Sequence, residues 1–115
     1  MSTRSWKERV EDILDAVAET DQFIAGMTFD QFKADSKTMK AVMANFSIIG
    51  EAAGHIPGPM ISQHPEVPWS VMRAMRNHIV HVYFSIDPKI LWDTMQHDLP
   101  SLVAPLKKLL GEATQ

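Results

Sequence analysis

The chain has 115 residues, a net charge of −3, 45% hydrophobic and 22% charged residues, and no cysteine. That length supports one domain over residues 1–115, with an ordinary globular composition. Zero cysteines exclude disulfides, iron–sulfur clusters and thiolate zinc sites. The negative charge excludes a molecule that holds nucleic acid by overall basicity, so any such contact must come from a local site or from a site shared between chains.

The residues near the N-terminus do not read as a signal peptide. Trp6-Lys7-Glu8-Arg9 is followed by Glu11, Asp12 and Asp15, which leaves no apolar stretch. No apolar run approaches the roughly 20 residues that span a bilayer. The expectation is a cytoplasmic protein without a membrane partner.

Ser2 or Thr3 is expected to cap a first helix that starts near Ser5. Trp6, Val10, Ile13, Leu14, Val17 and Ile24 recur at helical spacing, with Lys7, Glu8, Glu11, Asp12 and Asp15 on the other side. Gly26 suits the left-handed position after the helix. Met27 to Asp35 reads as a connection in which Thr28 caps one turn around Phe29 and Phe32. A second helix is expected from about Ser36 to His55, with Met39, Val42, Met43, Phe46, Ile49 and Ala53 as its apolar stripe. Gly50, Ala52, Ala53 and Gly54 make its last turns narrow enough for another helix to approach closely.

Pro57, Gly58 and Pro59 end that helix, and Ile61 to Val67 reads as a loop. Pro68 suits the first position of a third helix running from Trp69 to about Phe84. Asp87 then caps a fourth, with Pro88 in its first turn. This helix carries Ile90, Leu91, Met95, Leu99, Leu102, Val103, Leu106, Leu109 and Leu110. Pro100 and Pro105 must kink or interrupt it, and Gly111 closes it. With no segment patterned as a strand, the fold class is an all-α bundle of four to five helices. Apolar residues are abundant late in the chain: Trp69, Val71, Met72, Met75, Ile79, Val82 and Phe84, then Ile90, Leu91, Trp92 and Met95. The excess suggests a homodimer built on the third and fourth helices.

Four of the five histidines lie between residues 55 and 81. His55 and His64 read as loop or cap residues, and His97 as solvated. His78 and His81 are three apart, a weak metal signal without an acidic residue on the same helix; no metal or other cofactor is expected. The densest polar cluster is Arg76-Asn77-His78-Ile79-Val80-His81-Val82-Tyr83. At about 100° per residue, Arg76 and Tyr83 fall within ~20° of each other, two turns apart, and Asn77 and His81 share a side. A long arginine side chain spans the gap between the two stripes, so Arg76, His81 and Tyr83 can converge on one small anion. Arginine offers a positive fork to a phosphate, histidine a proton acceptor and donor near neutral pH, and tyrosine a hydroxyl. These parts suffice to cleave RNA through its own 2′-hydroxyl. The plainer alternative is that Arg76 pairs with a carboxylate such as Glu51 or Asp87, His81 is a satisfied interhelical histidine, and Tyr83 is core.

Further words in the sequence bear on that choice. Asp12-Ile13-Leu14, Ile48-Ile49-Gly50-Glu51-Ala52-Ala53, Pro65-Glu66-Val67-Pro68-Trp69, Met75-Arg76-Asn77, Trp92 and Asp98-Leu99-Pro100 surround an arginine–four residues–histidine–one residue–tyrosine motif at Arg76, His81 and Tyr83. In this order and spacing the chain resembles the HEPN superfamily, and within it the HepT-like toxins that pair with a minimal nucleotidyltransferase antitoxin. The resemblance covers nearly the whole chain. Ala74 stands where relatives often have glycine, and His78 is an extra imidazole inside the motif.

The resemblance implies an up-and-down helical bundle that dimerises, with the motifs of two protomers facing a shared cleft. It implies a metal-independent endoribonuclease acting as a toxin on RNA. Arg76 and His81 are then catalytic, Asn77 orients, and Tyr83 is the residue to which the partner nucleotidyltransferase attaches AMP. Two readings compete with it: a non-catalytic nucleotide- or partner-binding subunit of a nucleotidyltransferase complex, and a helical dimerisation module. Only the toxin reading requires His81 to move protons.

Overall fold

The computed structural model describes residues 4–85 and 87–114, with side chains at 4–77 and 87–111. Among them the chain is helical in seven segments: α1 (Trp6–Ile24), α2 (Phe29–Lys33), α3 (Ser36–Gly54), α4 (Gly58–Gln63), α5 (Trp69–Ser85), α6 (Pro88–His97) and α7 (Leu99–Thr114). The all-α class is as expected. α1 packs on α3 and α7, α3 packs on α5, and α2 and α6 close one end against each other. The core between them holds Val10, Ile13, Phe46, Ile49, Met72, Met75, Leu91, Leu102 and Leu106, all fully buried. Burying each large side chain contributes about 1.5–3 kcal/mol, and this apolar face holds the bundle together.

Local chemistry sets the boundaries. α1 is capped by Ser5, rather than Ser2 or Thr3: the Ser5 hydroxyl accepts from the Glu8 N–H at 3.2 Å, and the Glu8 carboxylate accepts from the Ser5 N–H at 3.2 Å. Thr28 and Gln31 repeat this device at α2, and Asp35 caps α3 by accepting from the Thr38 N–H at 3.0 Å. Gly26, at φ +75°, takes the left-handed turn after α1. Asp87 caps α6 with Pro88 in its first turn, as expected.

Three expectations fail locally. Residues 58–63 form α4 rather than staying in a loop, because Pro57 occupies the cap and Pro59 the first turn, where no proline N–H is missed. Pro68 lies one residue before α5, its carbonyl accepting from the Met72 N–H at 3.2 Å. The fourth helix is interrupted at Pro100 as expected, giving two helices, α6 and α7, divided at Asp98, while Pro105 lies inside α7. Pro100 would clash with the carbonyl four residues earlier in a continuous helix, so the chain restarts and places Pro100 in the first turn of α7. Gly111 does not close α7, which runs on to Thr114.

The apolar excess is also largely spent inside one chain. Trp69, Met72, Met75, Leu91 and Met95 are buried within the monomer. Trp92 packs against the rings of Phe29 and Phe32, with centroids 6.1 and 5.4 Å away. Ile90 stays exposed, while the side chains of Ile79, Val82 and Phe84 lie outside the described residues. The argument for a dimer from surplus apolar surface therefore does not hold for the residues that can be checked.

Candidate active site

The site is built where α3 and α5 meet. On α5, Met72 and Met75 point into the core and fix the helix rotation, which brings the next residue, Arg76, to the edge of the bundle. Opposite it, α3 offers Gly50. A Cβ at Gly50 would lie 2.6 Å from Arg76 Cβ and 3.0 Å from its backbone nitrogen, closer than atoms can pack. The narrow stretch late in the second predicted helix thus serves one contact: it lets the α5 backbone sit against α3 at the arginine.

Beyond that contact the Arg76 side chain turns outward and is 65% exposed. Its Nη1 lies 3.0 Å from Glu51 Oε2, while Glu51 Oε1 lies 3.0 Å from His55 Nε2. The hydrogen bond from His55, together with the charge of Arg76, holds the Glu51 carboxyl below its usual range. The carboxylate therefore stays charged across neutral pH and loses its hold on Arg76 when acid protonates it. The ion pair uses one of the five N–H donors of the guanidinium and leaves the rest of the fork for another acceptor.

An open groove of about 470 Å³ runs beside this pair, lined by Arg9, Asp12, Ser47, Ile48, Glu51, Ala52 and Arg76. Asp12 accepts two hydrogen bonds from Arg4, at 2.9 and 2.7 Å. The arrangement sets two arginines, Arg9 and Arg76, beside a solvent-open trough, suited to binding an anion.

Arg76 and Asn77 are both exposed on α5. The helix continues through His81 and Tyr83, but these side chains and that of His78 lie outside the described residues. The alternative pairing is realised for Arg76, with Glu51 and not Asp87. Asp87 instead accepts from the Lys89 N–H at 3.0 Å. His55 and His64 are cap residues, as read: they end α3 and α4, and His64 Nδ1 lies 3.1 Å from Glu66 Oε1. Among the described residues no cluster of histidine, aspartate and glutamate has the makings of a metal site. Sequence reasoning missed His55 as the second partner of Glu51, although their spacing of four residues was a usable signal. It also missed Arg9, for which linear sequence holds none.

The family model of HepT-like ribonucleases matches residues 13–109. The chain belongs to the HepT-like ribonuclease family. It is 41% identical over 106 residues to the "Probable ribonuclease HepT" of Thermococcus cleftensis, covering 92% of this chain and 96% of that protein. A Methanocaldococcus jannaschii protein whose name proposes it as an RNase is 35% identical over 101 residues, 88% of this chain and 84% of the relative. A Caldanaerobacter subterraneus protein named in the same way is 31% identical over 87 residues, covering 76% and 78%. No solved structure gives a significant match. The matched span contains every element that forms the groove except the first turns of α1.

The Gly50–Arg76 contact makes a direct prediction. Neither a Cβ nor a backbone atom can swing aside, so Gly50→Ala must push α5 away from α3. The variant is expected to lose about 1–3 kcal/mol of stability, visible as a lower melting temperature. A melting curve equal to that of the wild type would show that the helices are not held at this distance.

Proposed function

We propose that the chain is a metal-independent endoribonuclease, the toxin of a toxin–antitoxin pair, acting in the cytoplasm as a homodimer and silenced by AMP on Tyr83. The observation that carries the reading is Arg76: a permanently charged, exposed guanidinium backed onto Gly50 and steadied by Glu51, five residues before His81 on one continuous helix. Membership of the HepT-like ribonuclease family supports RNA as the substrate.

In this mechanism His81 takes the proton of a ribose 2′-hydroxyl. The freed oxygen attacks the adjacent phosphorus, the bond to the 5′-oxygen breaks, and that oxygen leaves as a hydroxyl after gaining a proton. The products are a 2′,3′-cyclic phosphate and a 5′-hydroxyl end. Arg76 binds the phosphate and stabilises the charge that builds on it, and Asn77 orients the reacting groups. The nucleophile is internal to the RNA, so the step needs only a base, a proton donor for the leaving oxygen, a role open to a protonated imidazole, and a phosphate-binding cation. The homodimer sets two copies of Arg76 in one cleft, a local positive site on a protein of net charge −3. Ile48, 45% exposed beside Arg76, offers apolar surface for such a contact.

Control by the partner nucleotidyltransferase follows from charge. The phenol oxygen of Tyr83 displaces pyrophosphate from a nucleoside triphosphate, losing its proton and gaining AMP. The new phosphate, two helical turns from Arg76, competes with RNA for the guanidinium and needs no refolding to do so.

His81→Ala is expected to lose about 10²-fold or more in cleavage rate on a defined RNA, while the wild type keeps its activity in EDTA. Full activity in His81→Ala would remove the histidine from the mechanism and favour a non-catalytic binding subunit; loss of wild-type activity in EDTA would contradict the metal-free step. Co-expression with the nucleotidyltransferase should raise the mass of the chain by one or more AMP units, and Tyr83→Phe should abolish the shift. An unchanged mass, or a shift that survives the substitution, would overturn the assignment.

A further inference from the structure

We propose that Arg9 of α1 is a second phosphate-binding residue of the Arg76 groove, holding the RNA strand one contact away from the scissile phosphate. The proposal deepens the ribonuclease reading and rests on it. Three observations carry it. Arg9 Nε is shielded from solvent and has no hydrogen-bond partner, and it is the one buried side-chain polar atom left unsatisfied among the described residues. Arg9 lines the same trough as Arg76. And the carboxylates in that trough are already engaged, Asp12 by Arg4 and Glu51 by Arg76 and His55.

A guanidinium is charged at any working pH, and a buried N–H without an acceptor is costly to keep. Nature of the missing acceptor follows from the charges. Arg9 sits close enough to Glu51 and Glu8 to help hold their carboxyls low, but among the described residues it forms no ion pair with either. Nε itself is shielded, so a strand in the groove is held by the outer end of the partly exposed Arg9 side chain, beside Arg76. A nucleic-acid strand carries a repeating anion with two acceptor oxygens per phosphate, so successive phosphates of one strand serve the two arginines.

The neighbouring groove fixes the direction of the strand. That second trough, about 410 Å³, adds Asp15 and Glu19 to Arg4 and Asp12 and so disfavours phosphate. The strand therefore crosses from Arg9 toward α5 and does not continue along the face between α1 and α3. A residue that grips phosphate away from the bond being broken acts mainly on binding, which separates its effect from that of Arg76.

The test measures binding and cleavage separately. A short single-stranded oligonucleotide with 2′-deoxy positions, which cannot be cleaved by this chemistry, is titrated by fluorescence anisotropy at several salt concentrations. The matching RNA is cleaved in parallel. Proteins are the wild type, Arg9→Gln, Arg9→Lys and, as a charge control on the exposed surface of α7, Lys107→Gln. Arg9→Gln is expected to weaken binding about tenfold and to reduce the slope of affinity against salt by about one phosphate contact. KM should rise with kcat little changed, Arg9→Lys should recover much of the affinity, and Lys107→Gln should do neither. If the glutamine variant does not fold by circular dichroism, Arg9→Met, which keeps the aliphatic stem, takes its place. Unchanged affinity and salt slope in a folded Arg9 variant would overturn the proposal, as would an equal loss in Lys107→Gln. Arg9-dependent binding by a wild type that cleaves no RNA would uphold the Arg9 site and sink the ribonuclease reading instead.

Discussion

The close approach of α3 and α5 at Gly50 is the constraint on which the site depends. Because no side chain separates the two helices there, the α5 backbone at Arg76 lies against α3, and the arginine side chain runs out beside Glu51. The two methionines just before that contact, Met72 and Met75, are fully buried and fix the rotation of α5. Rigid packing on one face thus delivers a charged group on the other. A flexible arginine pays an entropy cost each time it binds; one held by a carboxylate and by its own backbone pays less of it at the moment of binding.

Charge is handled locally in a protein that is acidic overall. Glu51 balances Arg76 without consuming it, since one oxygen serves the arginine and the other His55. Asp12 is occupied by Arg4, which takes both of its oxygens. What is left over is Arg9, whose positive charge has no matched carboxylate among the described residues. A groove that is neutral on paper therefore presents an uneven field, positive at Arg9 and negative toward Asp15 and Glu19 of the neighbouring trough. Such a gradient suits a polyanion that must be bound at one place and released afterwards.

Much of this was legible in the sequence, and the parts that were not share a cause. Gly26, Thr28, Asp87 and Pro88 act through their own backbone and nearest neighbours, so their roles could be read in place. The motif arginine was visible for the same reason, as one of a set of polar residues at fixed helical spacing. The α4 helix was hidden because proline is both a helix stop and a good helix start, and Pro57-Gly58-Pro59 does both jobs. The apolar excess around Trp69 and Trp92 could not be apportioned without knowing that α2 turns Phe29 and Phe32 back onto Trp92. Arg9 was invisible for a similar reason: its meaning lies in what does not reach it, which is a property of the packed molecule.

The most direct test of the account compares cleavage of a single defined RNA linkage by the wild type and by Arg76→Lys. Lysine keeps the charge, the helix and a reach toward Glu51, but replaces the planar fork by a point charge. If Arg76 grips the phosphate in the reaction, the lysine variant stays folded and loses most of its cleavage rate. Cleavage by Arg76→Lys at the wild-type rate would contradict the account, because the fork that α3 is shaped to hold would then have no part in the chemistry.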